Sequence, residues 1–308
     1  MSRIYEALRR AEEERHADSL ADAAILSVGA ERLGLVAEGG APVKTDRTST
    51  RTGIASLPQS SAFLRFDALA AHCTHPEWHP EPNSNAFLNL AAGAPCAERF
   101  RTLRSRLYKI RGNRPTYTLL VTSSVPDEGK TFVTNNLARA IVHQPHRCAL
   151  IIDADLRYPQ LHLSLGAPLA PGLTEYLRGE KDEIEIIQRG GTENLCFIPG
   201  GTCATNPSEL LCNGRIKTLL ERLSPVFDWI ILDSSPCLPV EDANVLAGLC
   251  DGVLLVVRAG STPVEVAQKV CQQLGERNVV GVVLNQVEKS ELYGSDYYGY
   301  GYGNSTDT

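Results

Sequence analysis

The sequence predicts an α/β domain built on a mainly parallel sheet with helices on both faces. Three observations carry this expectation. Short apolar runs (119–121, 149–152, 229–232, 251–257 and 279–285) are long enough for buried strands. Segments with helical spacing lie between them, and such alternation folds into parallel sheets. Two of the runs end directly on an acidic residue, at the strand edge where open parallel sheets bind ligands.

The chain has 308 residues, 43% of them hydrophobic, and a formal charge of −6. It can fill a core, and its charge argues against a general nucleic-acid binder. Nine cysteines are scattered and mostly embedded in apolar stretches, as reduced core thiols of a cytosolic protein would be. No segment offers about 18 uninterrupted apolar residues, so no membrane-spanning segment is expected, and the opening MSRIYEALRRAEEE lacks the apolar middle of a secretory signal.

In chain order, residues 1–15 are expected to form a short helix, with Ser2 as N-cap and Ile4, Leu8 and Ala11 at helical spacing. It is either a docking helix or simply a solvated one. Residues 16–84 lack sustained periodicity and are expected to be a flexible, mostly disordered linker. Within it, His72, Cys73, His75 and His79 cluster, but their spacing fits no standard zinc module. The domain is expected over 85–287. In AERFRTLRSRLYKIRG, Phe100, Leu103, Leu107 and Ile110 share one helical stripe, and Glu98, Arg101 and Arg104 recur every three residues beside it. That face could pair with a neighbouring subunit, because arginine forks bind carboxylates, or it could be an ordinary solvated face.

The stretch YTLLVTSSVPDEGKTFVTNNL organises the rest. An apolar strand breaks into Ser, Pro and Gly, and Gly129, Lys130 and Thr131 open a helix, as in a phosphate-binding loop. Val125 stands where the general pattern has its first glycine. The loop Val125, Pro126, Asp127, Glu128, Gly129, Lys130, Thr131 and Phe132 is the expected nucleotide cradle, with backbone N–H groups and the helix dipole on the phosphates. Lys130 would reach the outer phosphates and Thr131 would ligate Mg²⁺. The expected fold is therefore P-loop NTPase-like.

Further on, the strand in CALIIDADLRYPQLH delivers Asp153 and Asp155, and FDWIILDSSP delivers Asp233. Carboxylates there can hold Mg²⁺ or accept a hydroxyl proton, although acidic strand ends also serve as helix caps. Helices are expected over Pro207 to Leu223 and Pro263 to Leu274. The end, residues 288–308, sets Tyr293, Tyr297, Tyr298, Tyr300 and Tyr302 among glycines and reads as a flexible tail.

SSVPDEGKT, IIDADLR and IILDSSP, in this order, resemble the three nucleotide motifs of the bacterial tyrosine kinases of capsule and exopolysaccharide systems, over about residue 97 to the end. The resemblance implies an ATP- and Mg²⁺-dependent protein tyrosine kinase. Lys130, Asp153 and Asp155 would be catalytic, one aspartate acting as base, and Thr131, Asp153 and Asp233 would serve the metal. It also implies a ring-forming homo-oligomer joined through Glu98, Arg101 and Arg104, with the tail tyrosines as acceptors between subunits. Its implied partners are a membrane polysaccharide co-polymerase acting as activator and a tyrosine phosphatase, placing the chain in the cytoplasm against the membrane through a partner. One departure is Asp127, where the family usually has Gly: a carboxylate there repels phosphate unless it points to solvent. Two competing readings are a partition- or division-site-type ATPase, which would carry a lysine at the Val125 position, and a non-catalytic nucleotide-binding adaptor.

Overall fold

The computed structural model describes residues 65–87, 95–114, 117–192, 194–275 and 278–287, together with the backbone of a short strand, β1, at Ile25–Ser27. The expected N-terminal helix and the tyrosine tail lie outside the described residues.

Helix α1 (Phe66–His72) is followed by a one-turn 3₁₀ helix (Pro82–Ser84), then by α2 (Pro95–Arg111), β2 (Tyr117–Ser123) and α3 (Lys130–Val142). Next come β3 (Ala149–Asp153), α4 (Leu161–Leu165), α5 (Leu173–Arg178), α6 (Glu183–Ile186), β4 (Gln188–Arg189) and β5 (Leu195–Ile198). The chain continues through α7 (Pro207–Cys212), α8 (Arg215–Leu223), β6 (Trp229–Asp233), α9 (Asp242–Ala247), β7 (Gly252–Arg258), α10 (Val264–Gln273) and β8 (Val279–Asn285). The strands form one sheet in the order β1-β8-β7-β2-β6-β3-β5-β4. Every pairing from β8 through β5 is parallel, and the two outermost strands are antiparallel.

Strand alternation distributes the apolar residues between two cores. On one face Leu120, Ile152, Leu232 and Leu255 meet Leu219 and Leu223 of α8 and Val270 of α10. On the other, Leu119, Val121, Ile151, Ile231 and Leu254 meet Leu103 and Leu107 of α2 and Leu137 and Ile141 of α3. Each such side chain contributes about 1.5–3 kcal/mol on full burial, so the sheet is a rigid platform for whatever its carboxyl edge carries. The register sets Asp153 beside Asp233 on neighbouring strands at that edge.

Two expectations are corrected. The helix expected over Pro207 to Leu223 is broken into α7 and α8, because Gly214 adopts φ 79° and Asn213 turns to accept the Arg215 N–H at 2.9 Å. The expected linker ends earlier than residue 84: residues 65–87 form a strap across the domain. Leu69 and Ala70 of α1 are buried, and Trp78 packs edge-on against Phe197 with ring centroids 6.1 Å apart. Backbone bonds join Thr74 to Ile187 and Arg189, and His79 to Gly166. The Ser84 carbonyl accepts from the side-chain amides of Asn135 and Asn136, each at 3.1 Å, while Asn136 Oδ1 accepts the Ala86 N–H at 2.7 Å. The strap has no internal period because its partners lie far away in sequence, which is why it reads as a linker. Its His–Cys cluster is dispersed: Cys73 is buried, and His72 Nδ1 bonds its own helix at the Ala68 carbonyl, 2.8 Å away. All nine cysteines are free, and Cys96, Cys203 and Cys212 are exposed rather than in the core. Among the described residues no helix is long and apolar enough to cross a membrane.

Candidate active site

Strand β2 runs into the loop Ser124–Gly129, which turns directly into α3. Gly129 has φ 90°, and a Cβ there would sit 2.0 Å from Asn285 Nδ2, so the position admits only glycine. The loop is tied together from inside by Glu128, which is buried. Its Oε2 accepts the N–H groups of Ser124 at 2.5 Å and Val125 at 2.9 Å, and its Oε1 accepts from the Thr262 hydroxyl and, at 3.3 Å, from the Arg258 N–H. Asn285 Nδ2 donates to the Glu128 carbonyl at 2.9 Å, joining the end of β8 to the same loop. Asp127 occupies left-handed backbone at φ 64° and is exposed, which accounts for a residue type that tolerates this conformation and leaves its carboxylate toward solvent.

At the head of α3 the sequence motifs converge. Lys130 Nζ lies 3.2 Å from Asp155 Oδ2, both side chains being largely buried. Thr131 Oγ1 donates to Asp233 Oδ2 at 2.6 Å. Asp155 Oδ1 accepts the Tyr158 N–H at 3.1 Å, and Asp153 Oδ2 accepts the Leu161 N–H at 3.0 Å. Asp153 Oδ1 is buried without a hydrogen-bond partner among the described residues. Burial, then the neighbouring Asp233, raises the Asp153 pKa well above the carboxylate range. Burial also lifts Asp233, to about 6, although Lys130 and the Thr131 hydroxyl pull it down. For Lys130, burial favours the neutral amine, but Asp233, Asp155 and Asp153 together outweigh it and raise its pKa.

Among the described residues no three acids converge as a ready-made metal-ligand set, but the Thr131 hydroxyl paired to Asp233 and the orphaned Asp153 oxygen are the hard oxygen donors that a divalent cation prefers, with its remaining positions left to water and phosphate. Lys130, Thr131, Asp153, Asp155 and Asp233 thus occupy one place. Other candidates fall elsewhere. Val125 directs its N–H to Glu128, Pro126 and Asp127 sit exposed at the mouth, and the Phe132 ring turns away to pack on Phe100, 5.8 Å between centroids. Within this chain Glu98 pairs with Arg101 at 2.8 Å, and Arg104 Nη1 donates to the Ala140 carbonyl at 2.6 Å.

Sequence reasoning missed two participants, Thr134 and Arg157, and the side-chain role of a third, Glu128. Glu128 braces the loop from within. Thr134 donates to Asp233 Oδ1 at 3.2 Å, and its place one helical turn after Lys130 was the available signal. Arg157, in the second motif, is held by the buried Asp242 through Nε at 2.7 Å and Nη2 at 3.2 Å, and also donates to Ser208 Oγ at 2.8 Å. This fork pins the turn after Asp155 to α9 and α7.

No protein-family model matches the chain. It is 31% identical over 207 residues to tyrosine-protein kinase YwqD of Bacillus subtilis, covering 66% of this chain and 86% of YwqD. It is 34% identical over 187 residues to tyrosine-protein kinase CpsD of Streptococcus agalactiae, covering 59% of this chain and 81% of CpsD. With tyrosine-protein kinase etk of Escherichia coli K12 it shares 36% identity over 194 residues, 62% of this chain but only 27% of that longer protein. The solved kinase domain of Escherichia coli ETK superposes with a TM-score of 0.62 at 36% identity, covering 70% of this chain and 84% of the domain. With identity above 30% across most of YwqD and CpsD and the fold of the ETK kinase domain, the chain belongs to the bacterial tyrosine-protein kinases.

Proposed function

We propose that the chain is an ATP- and Mg²⁺-dependent autokinase that transfers phosphate to the C-terminal tyrosines of a neighbouring copy. The supporting observation is the meeting of Lys130, Thr131, Asp153, Asp155 and Asp233 at the head of α3. Bound Mg²⁺ would offset charge on the transferring phosphoryl group. Thr131 and Asp233 would hold it, supported by their hydrogen bond to each other, and Asp153, with one oxygen unpartnered, would complete the set. Lys130, released from Asp155 by the stronger charge of a triphosphate, would steady the phosphates, and the first-turn N–H groups of α3 would orient them. Once Lys130 turns to the phosphates, Asp155 Oδ2 is open as Asp153 Oδ1 already is, so one of these two carboxylates is assigned as acceptor of the tyrosine hydroxyl proton.

The biological setting proposed is control of polysaccharide polymerisation or export, in a ring of copies joined through Glu98, Arg101 and Arg104. A membrane co-polymerase would activate the kinase at the inner face of the membrane, and a tyrosine phosphatase would reverse the reaction. Intact-mass and peptide mass spectrometry after incubation with ATP and Mg²⁺ tests the core of this reading, with Lys130→Ala alongside. Phosphate on the tail of the normal chain and none on the variant is the expected result. Saturable ATP binding with an unmodified tail, with and without the cytoplasmic part of a candidate co-polymerase, would favour a non-catalytic adaptor instead.

A further inference from the structure

Between α2 and α3, nine residues and about 14 Å along α3 from Lys130, cationic groups gather with little acid to balance them. Arg139 is only 7% exposed. Its Nε donates to Asn135 Oδ1 at 3.0 Å, and its two terminal nitrogens have no partner among the described residues. Burial pulls its pKa down to about 10, with no neighbouring carboxylate to restore it. Arg104 reaches α3 from α2 at the next residue, spending Nη1 on the Ala140 carbonyl and leaving Nε buried and unpartnered. His143, one turn beyond Arg139, has its pKa lowered by burial and by Arg101, Arg139 and Arg104. Glu98 is the acid nearby, exposed and committed to Arg101 at 2.8 Å.

A buried guanidinium without a counter-charge is destabilising, and an anion that arrives between two such forks removes that cost. We propose that Arg139, Arg104 and His143 form a seat for a phosphate monoester, supplied by a phosphorylated tyrosine of the C-terminal tail. Two guanidiniums and an imidazole match a dianion better than a single carboxylate, since a phosphotyrosine carries about −1.5 to −2 charge and three acceptor oxygens. The tail concentrates five tyrosines between residues 293 and 302, the phosphate source that the proposed function provides and on which this inference rests. A seated phosphotyrosine would draw Arg104 away from the surface assigned to subunit contact, so the modified tail would compete with assembly.

Fluorescence anisotropy of a synthetic peptide spanning 288–308, phosphorylated on Tyr298, tests this on the full chain. The unphosphorylated peptide and inorganic phosphate serve as the other probes, with Arg139→Met, Arg104→Gln and Lys130→Ala as variants. The phosphopeptide is expected to bind and the plain peptide not. Arg139→Met and Arg104→Gln should each weaken binding about tenfold or more, while Lys130→Ala leaves it intact. Arg139→Met should melt no lower than the normal chain, because it removes an unbalanced buried charge; if it does not fold, Arg104→Gln decides. Equal binding of both peptides, or binding indifferent to the arginine variants, would overturn the proposal. So would inorganic phosphate as strong as the phosphopeptide, which marks a free-phosphate site, or a change in oligomer size without a change in peptide binding, which marks a carboxylate of a second copy. The peptide is phosphorylated synthetically, so a chain that binds it but does not phosphorylate itself would refute the proposed function and leave the seat standing.

Discussion

Replacing Glu128 with Ala should damage both stability and nucleotide binding, in amounts that follow from its four donors. The two N–H groups of Ser124 and Val125 lie on the interior side of the loop, and hydrogen bonds to a charged acceptor contribute about 1.5–3 kcal/mol each. The bonds from Arg258 and Thr262 lie nearer solvent, and water can replace them at little cost. The expected loss is therefore about 3–5 kcal/mol, which for a domain of this size lowers the melting temperature by roughly 10 °C. Glu128→Gln keeps one carbonyl oxygen for the interior pair but turns amide hydrogens toward the other two donors, so it should lose only about 1–2 kcal/mol. Thermal and urea denaturation of the three proteins gives the order normal, Gln, Ala. Titration with a fluorescent ATP analogue should show affinity falling in the same order, because the loop's shape must then be imposed by the nucleotide. An Ala variant within about 0.5 kcal/mol of the normal chain, or a Gln variant worse than Ala, would refute the reasoning.

Asp233→Asn should raise stability at neutral pH while abolishing phosphorylation. The folded pKa of Asp233 is raised from 3.8 to about 6, so its favourable contribution is fully present below pH 3.8 and is lost as pH rises to about 6. The variant should melt higher than the normal chain at pH 7 and not at pH 3.5; equal differences at both pH values would contradict this. Asp127→Gly should leave ATP affinity within about twofold of the normal chain at low salt, because the exposed carboxylate is turned to solvent and screened from the phosphates. A tightening of about tenfold or more that vanishes at about 0.5 M salt would show that the carboxylate faces the phosphates after all. Asn136→Ala should release the strap from α3, lowering stability by about 1–2 kcal/mol and speeding proteolysis within 65–87, read by timed digestion and gel analysis.

The sheet and the five convergent site residues were legible because both depend on local patterns. Apolar runs ending in Asp153 and Asp233 specify strands whose ends must meet once the sheet is parallel, and Gly-Lys-Thr specifies the helix start beside them. The strap was illegible for the opposite reason. Phe66, Leu69, Trp78 and Phe87 are irregularly spaced, and Ser84 and Ala86 find their partners some 50 residues away on α3, so no window of sequence contains the order it acquires. The inward direction of the Glu128 side chain was not legible, because the motif gives its position alone, and its partners Arg258 and Thr262 stand at and just after the end of β7, beside β2 in the sheet but some 130 residues away in sequence. Asp242 escaped notice likewise, since a lone acid at a helix start reads as a cap until Arg157 is seen to reach it.

The two antiparallel margins of the sheet bear on how copies can associate. β1 has three residues and β4 two, against about five or six in an ordinary strand. A foreign strand seeking to extend this sheet would find a template too short to zip onto, at either end. The contact between copies proposed above is thus left to helical and loop surfaces rather than to strand pairing.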